Sequence, residues 1–269
     1  MRIAFYQTSP VYGEIEYNVR EALETLAAAR ADLYVLPELF STGYLFGSRK
    51  ELGRLVERVP EGPTVGVLHK FCRSRGCAIV ASIAEVDRGN YYNSAVLISP
   101  RGLLGKYRKI HLFDRERLWF QPGNLDFGVW TFKRARIGLM ICFDWVFPEA
   151  ARVLALKGAD IICHPSNLIL HYCQDAMVTR SIENGVFTVT ANRVGSERAE
   201  AVQLTFSGRS QITDPKGRVL ARAPKVGRKF QVVDIDLSLT KKKKLTPRNH
   251  LFHDRRAKYY KEITRPTRR

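Results

Sequence analysis

Ile137-Gly138-Leu139-Met140-Ile141-Cys142-Phe143-Asp144 is an apolar run that closes on a cysteine, and Trp145-Val146-Phe147-Pro148-Glu149 leads from it into a helix. Proline in a first helical turn costs little, because the amide it lacks would have no intrahelical acceptor there. Strand, sharp turn and helix form the repeating unit of α/β proteins. The spacing predicts a strand over Arg136–Phe143 and a helix over Pro148–Lys157. A side chain at such a turn meets the crevice beyond a strand end, and a helix N-terminus favours a thiolate. The arrangement resembles a nucleophile elbow. Taken alone, though, a cysteine is more often a small buried hydrophobe, so Cys142 needs partners before it carries chemistry.

Outward from this stretch the same alternation continues. Ile3–Gln7, Leu33–Pro37, Cys77–Val86, Tyr92–Ser99, Asp160–Cys163 and Val186–Thr190 read as strands. Asn18–Arg30, with Asn18 as N-cap, Thr64–Arg75 (Val67, Leu68 and Phe71 on one face, Gly76 as the stop) and Gln174–Asn184 read as helices. Near the end, Gly208–Thr213 and Arg218–Ala221 flank Asp-Pro-Lys-Gly as a hairpin, and Phe230–Leu237 is a last strand. Strand–helix alternation with interspersed hairpins predicts an α/β fold with a mixed sheet. With no internal repeat or linker, residues 1–269 are expected to form one domain.

The composition narrows the function classes. The chain has 269 residues, 45% of them hydrophobic and 26% charged, which is ordinary for a globular protein. No apolar window approaches the ~18 residues of a membrane span, and the N-terminus turns polar at once. A cytoplasmic protein is expected. Five cysteines are widely spaced with no CxxC pair, so neither a zinc site nor a disulfide framework is indicated. The net charge of +18 is spread along the chain, with one dense run at Lys241–Lys244 and a polar tail at Thr264–Arg269. Without a nucleic-acid-binding signature beside it, a solvated surface is the favoured reading and nucleic acid is not an expected partner.

Two further segments could complete a site with Cys142. In Pro37-Glu38-Leu39-Phe40 a carboxylate directly follows a buried strand, which is costly unless it is paired. In Lys106-Tyr107-Arg108-Lys109-Ile110-His111-Leu112-Phe113, an extended backbone puts Tyr107, Lys109 and His111 on one face. Each alone has a bland reading: a surface acid, an amphipathic edge strand. Together they fit one chemistry. A cysteine nucleophile needs a base to form the thiolate and an acid to protonate the leaving amine. A buried carboxylate can serve as both in turn. A neighbouring lysine supplies a fixed positive charge for the oxyanion.

These three segments, in this order and spacing, resemble the glutamate, lysine and cysteine motifs of the nitrilase, or carbon–nitrogen hydrolase, superfamily. The resemblance extends over nearly the whole chain. It includes Asn93-Ser94-Ala95, Pro122-Gly123, His164-Pro165-Ser166-Asn167, Ala191-Asn192-Arg193, Phe206-Ser207-Gly208-Arg209-Ser210 and Leu251–Arg256. It implies a four-layer α-β-β-α sandwich and a homodimer, or a higher homo-oligomer, formed through the helices near the cysteine. It implies catalysis by Glu38, Lys109 and Cys142, with Glu116 as a second glutamate that holds Lys109, and neither metal nor organic cofactor. Glu38 would move the protons, Lys109 and the Phe143 backbone N–H would hold the oxyanion, and a thioester on Cys142 would be hydrolysed. The Phe143-Asp144 pair after the cysteine is similar to the amidase and N-carbamoyl-amine hydrolase branches, whereas nitrilases tend to have tryptophan and glutamate there. A small amide or N-carbamoyl compound is therefore the expected substrate, with a small nitrile as the alternative. Tyr44, Phe143, Trp145 and Asn167, with Trp119 and Phe120, are the expected pocket residues. Arg193 is either a carboxylate binder or a structural ion pair.

Overall fold

In the computed structural model, which describes residues 1–265, strands that are apolar on both faces build two sheets stacked on one another. The last residues of the polar tail, 266–269, lie outside the described residues. The first sheet holds β1 (Arg2–Gln7), β2 (Leu33–Val35), β3 (Ala78–Asp87), β4 (Asn90–Ser99), β5 (Gly102–Arg108) and β14 (Lys229–Asp234), in the order β14-β1-β2-β3-β4-β5. The second holds β6 (Val129–Phe132), β7 (Ala135–Leu139), β8 (Ile161–Pro165), β9 (Phe187–Ala191), β12 (Gln211–Thr213) and β13 (Val219–Arg222), in the order β13-β12-β9-β8-β7-β6. In each sheet three central strands run parallel and antiparallel strands flank them. The two-residue period of a strand assigns the faces. Ile3, Phe5, Val35, Val80, Ala95 and Leu97 meet Ile137, Leu139, Ile161 and Val189 between the sheets.

The opposite faces take the helices. Ala4, Tyr6, Tyr34, Ile79 and Val96 pack on α1 (Ile15–Ala27) and α3 (Pro63–Arg75) through Val19, Leu26 and Leu68. On the second sheet, α5 (Pro148–Leu156) and α6 (Cys173–Asn184) supply Ala151, Leu154 and Met177. The result is the α-β-β-α sandwich. A separate hairpin, β10 (Ser196–Ala199) with β11 (Val202–Thr205), stands outside both sheets. Short helices α2 (Arg49–Leu52) and α4 (Glu116–Trp119) lie in the loops above the strand ends. No helix of the described residues is long and apolar enough to cross a membrane.

Several expectations need correction. Helix α1 starts at Ile15, a turn before Asn18, whose buried amide instead bonds Val11 and the Ser41 carbonyl. In α3 the inward face is Thr64, Val65, Leu68 and Cys72, while Val67 is exposed; the stop at Gly76, with φ of 65°, is as expected. The strand leading to Cys142 ends at Leu139, and Cys142–Val146 is a 3-10 helix. Strands β5 and β6 and the hairpin β10–β11 lie in stretches with no clean alternation, where neither face is wholly apolar.

Candidate active site

Glu38, Lys109 and Cys142 each leave the end of a strand, and the sandwich brings the three ends together. Glu38 follows β2, Lys109 follows β5 and Cys142 follows β7. Two of them therefore come from the first sheet and the nucleophile candidate from the second. All are buried, with Glu38 and Lys109 sealed from solvent and Cys142 5% exposed.

The Lys109 ammonium donates to Glu38 Oε1 and to Glu116 Oε1, each at 2.7 Å. Its backbone is fixed on both sides: Lys109 N–H donates to the Asn93 carbonyl, and the Lys109 carbonyl accepts from Gly123 N–H, each at 2.8 Å. Gly123 sits so close that a Cβ there would lie 2.0 Å from the Arg108 carbonyl oxygen. That contact explains the Pro122-Gly123 turn. Burial alone would lower the lysine pKa, but the two carboxylates outweigh it and hold Lys109 charged.

Asn93, which the sequence reading has within the Asn93-Ser94-Ala95 segment but not among the site residues, joins the site. Its amide N–H donates to Glu38 Oε1 at 2.7 Å, and its oxygen accepts from Ser82 Oγ at 2.8 Å, which in turn accepts from Leu39 N–H at 3.1 Å. A polar residue in mid-strand on the same face as Ala95 and Leu97 was the available signal. Glu38 Oε1 thus has two donors, whereas Glu38 Oε2 is buried with no hydrogen-bond partner among the described residues. Glu116 Oε2 accepts from Phe113 N–H at 2.8 Å. Burial pushes the Glu116 carboxyl up to about 7 against the pull of Lys109.

Cys142 has φ of 39°, and Leu39 and Asp114, beside the two glutamates, have φ of 47° and 42°. Left-handed backbone at non-glycine residues costs of order 1–3 kcal/mol each and persists where its surroundings enforce it. The surroundings here are specific. Asp144 Oδ2 accepts from Ile141 N–H and Tyr107 O–H, each at 2.8 Å, and Asp144 Oδ1 lies 2.7 Å from His111 Nδ1. Of the expected face, Tyr107 and His111 thus bond Asp144 in the cysteine turn while Lys109 between them is held by Glu38 and Glu116, and β5 itself ends at Arg108. The Cys142 carbonyl accepts from His164 Nε2 at 2.8 Å. A carbonyl can only accept, so Nε2 carries the proton and Nδ1 accepts from Thr190 Oγ at 3.1 Å. Burial lowers the His164 pKa to about 4, so the ring is neutral.

At the cysteine the expected pull of the helix N-terminus is outweighed, and the expected need for a base stands. Burial, then the negative charge of Glu38, push its thiol well above the ordinary range, against Lys109 and a hydrogen bond from the Asn167 backbone N–H. A five-residue 3-10 helix does not overcome this desolvation. At rest the group is a thiol, and a thiolate requires a base on demand.

The expected pocket residues separate. Tyr44 is buried with its phenol beside Glu116. With Trp119, Phe120 and Leu204 it borders a cavity of about 20 Å³, room for roughly one water. Asn167 is buried beside the thiol, and both of its amide atoms lack partners among the described residues. Phe143 stacks edge-on against Phe113 and Phe147 and lines an open pocket of about 380 Å³ with His111 and Arg117. Trp145 is buried in the core instead, with its ring edge-on to the exposed Tyr172. Arg193 is resolved as a buried ion pair with Glu197, stacked 4.1 Å over the Phe206 ring.

Comparison with known proteins follows the same lines. A family model described as carbon-nitrogen hydrolase matches residues 2–244. The chain is 46% identical over 97% of its length, and 99% of the relative's, to a protein named nitrilase from Pyrococcus abyssi. It is 36% identical to an (R)-stereoselective amidase of a Pseudomonas species, over 90% of this chain and 87% of the other. Among solved structures it is similar to an amidase from Nesterenkonia sp. AN1, with TM-score 0.79 and 25% identity over 98% and 99% of the two chains. That structure shows the result of Michael addition of acrylamide at the active site cysteine.

Proposed function

We propose a site-resolved mechanism for this chain, which belongs to the carbon–nitrogen hydrolase family and is a hydrolase of non-peptide carbon–nitrogen bonds. The observation that carries it is a glutamate, buried in the same site as Cys142, whose second oxygen is unpartnered, while burial and that glutamate's charge push the Cys142 thiol well above the ordinary range. Glu38 Oε2 takes the thiol proton, and the thiolate attacks the carbonyl carbon of a small amide or N-carbamoyl compound. Lys109 and the Phe143 N–H meet the oxyanion; the latter lies in the first turn of a helix, where backbone donors lack intrahelical acceptors. Glu38 returns the proton to the departing nitrogen as the carbon–nitrogen bond breaks. It then deprotonates water, which opens the thioester, and gives the proton back to the Cys142 sulfur. Glu116 holds Lys109 in place throughout. The free amide of Asn167 has both a donor and an acceptor to offer the substrate's own amide.

A nitrile substrate is the second reading, favoured by the likeness to the Pyrococcus abyssi nitrilase. Ammonia release over a panel of amides, N-carbamoyl compounds and nitriles decides between them, with mass spectrometry for an acyl group on Cys142. Full ammonia release by Cys142→Ala would overturn the mechanism. We also propose a homodimer through α5 and α6, because Val153, Leu156 and Ile182 are exposed there. Light scattering that gives a monomer at micromolar concentration would refute it.

A further inference from the structure

Hairpin β10–β11 is attached to neither sheet, and Ser196, Arg198, Glu200 and Ala201 along it are exposed or half-exposed, yet Glu197 on its inner side is buried. The carboxylate of Glu197 has two sets of partners. Oε1 pairs with the buried Arg193 guanidinium. Oε2 accepts from the adjacent backbone N–H groups of Tyr44 at 2.9 Å and Leu45 at 2.8 Å. The carboxylate's partners are a guanidinium and two backbone donors, and charge-assisted bonds of this kind are the strong ones. The neighbouring loop is moulded on it: Gly43, with φ of 83°, would bring a Cβ within 2.8 Å of Glu197 Oε1.

The segment so held is a wall of the candidate site, with the Tyr44 phenol beside Glu116. The hairpin reaches the facing wall as well. Leu204 on β11 borders the same small cavity as Tyr44, Glu116 and Arg115. At the tip, Glu200 lies 3.5 Å from Arg115.

We propose that Glu197 is a positioning residue for specificity. It holds Tyr44 against Glu116, so that the site is closed to all but short, unbranched acyl groups. This rests on the cysteine hydrolase reading. Buried backbone amides need acceptors, and no other partner serves Tyr44 N–H and Leu45 N–H among the described residues. Without Glu197 the wall moves outward to reach water.

Two double variants isolate this role from the buried ion pair. Arg193→Leu with Glu197→Gln removes the charges but leaves an oxygen to accept from Tyr44 and Leu45. Arg193→Leu with Glu197→Leu removes both charges and acceptor. Kinetics on acetamide and isobutyramide are the readout. The Gln variant should stay within about threefold of the parent in KM and in selectivity. The Leu variant should raise KM for acetamide about tenfold with kcat little changed. It should also shift the isobutyramide-to-acetamide ratio of kcat/KM upward by about tenfold, the scale of one side-chain-sized group in a pocket. Equal KM and equal selectivity in the two variants overturns the proposal. Should the Leu variant not fold, hydrogen exchange in the parent still decides: Tyr44 and Leu45 amides must be protected like those of β1, and exchange at loop rates refutes the clamp. A parent that hydrolyses no panel substrate would defeat the hydrolase reading, while the exchange result would still judge the clamp.

Discussion

Arg108 and Lys109 are neighbours in sequence, and both end up buried among carboxylates, but the two clusters are finished to different degrees. Arg108 donates to Glu85 at 2.7 and 3.0 Å, to Asp87 at 2.8 Å and to Asn124 at 2.9 Å, and lies 3.9 Å over the Tyr92 ring. Glu85 also accepts from Lys106 and Ser94, so neither of its oxygens is left open. Lys109 joins Glu38 and Glu116 just as closely, yet Glu38 Oε2 has no donor among the described residues. A buried polar atom without a partner costs about 1–3 kcal/mol. The complete cluster is architecture, since it has nothing left to exchange. The incomplete one keeps an oxygen free to take a proton, and its charge is felt at the Cys142 thiol.

The contrast can be broken or sharpened by substitution. Cys142→Ala should lower ammonia release on the order of 10⁴-fold or more with the melting curve preserved; comparable turnover would mean that the open oxygen serves another nucleophile. Glu38→Gln keeps shape and the Asn93 neighbourhood but cannot take a proton, and kcat should fall about 10²–10⁴-fold, measured on the best amide. Lys109→Met leaves Glu38 and Glu116 buried without a cation and should lose about 3–5 kcal/mol in denaturant titration, whereas Arg108→Met leaves Glu85 its bond to Lys106 and should lose less. Only Lys109→Met should also lose about 100-fold or more in kcat per folded molecule. Equal kinetic losses would mean that the two clusters do not differ in function.

The smallest effect is in pH. Glu116 is raised to about 7 in the fold, above its unfolded value of about 4.3. The folded chain therefore holds a proton that the unfolded chain has lost, and this contribution to stability declines as pH rises from the unfolded value through about 7. Turnover should move the other way, several-fold upward between pH 6 and 8, as Glu116 gains its charge and holds the Lys109 ammonium more firmly. Glu116→Gln should flatten both trends. If both persist unchanged, Glu116 is not the group that titrates.

The strand that ends near Cys142, the helix after it and the apolar runs of β1, β2 and β3 were legible because each has one period and an apolar face. Glu38, Lys109 and Cys142 were legible as residues that break such runs at their ends. What escaped is what depends on contacts distant in sequence. Asn93 looks like any polar strand residue until Glu38 is beside it. Asp144 follows the cysteine but is committed to Tyr107, His111 and the backbone of its own turn. The need for a base at Cys142 was legible from its chemistry; the burial that makes the need acute was not, because it comes from both sheets. Arg193 stayed ambiguous until Glu197, on a hairpin with no clear strand pattern, closed on it.

Strand β14 pairs along the whole of β1 and forms the outer edge of the first sheet. A ribosome delivers the residues of β1 first and those of β14, Lys229–Asp234, more than two hundred residues later. Glu38, Lys109 and Cys142 have all been synthesised long before that sheet can be completed. The first sheet, which carries Glu38 and Lys109, is therefore closed at that edge only late in synthesis.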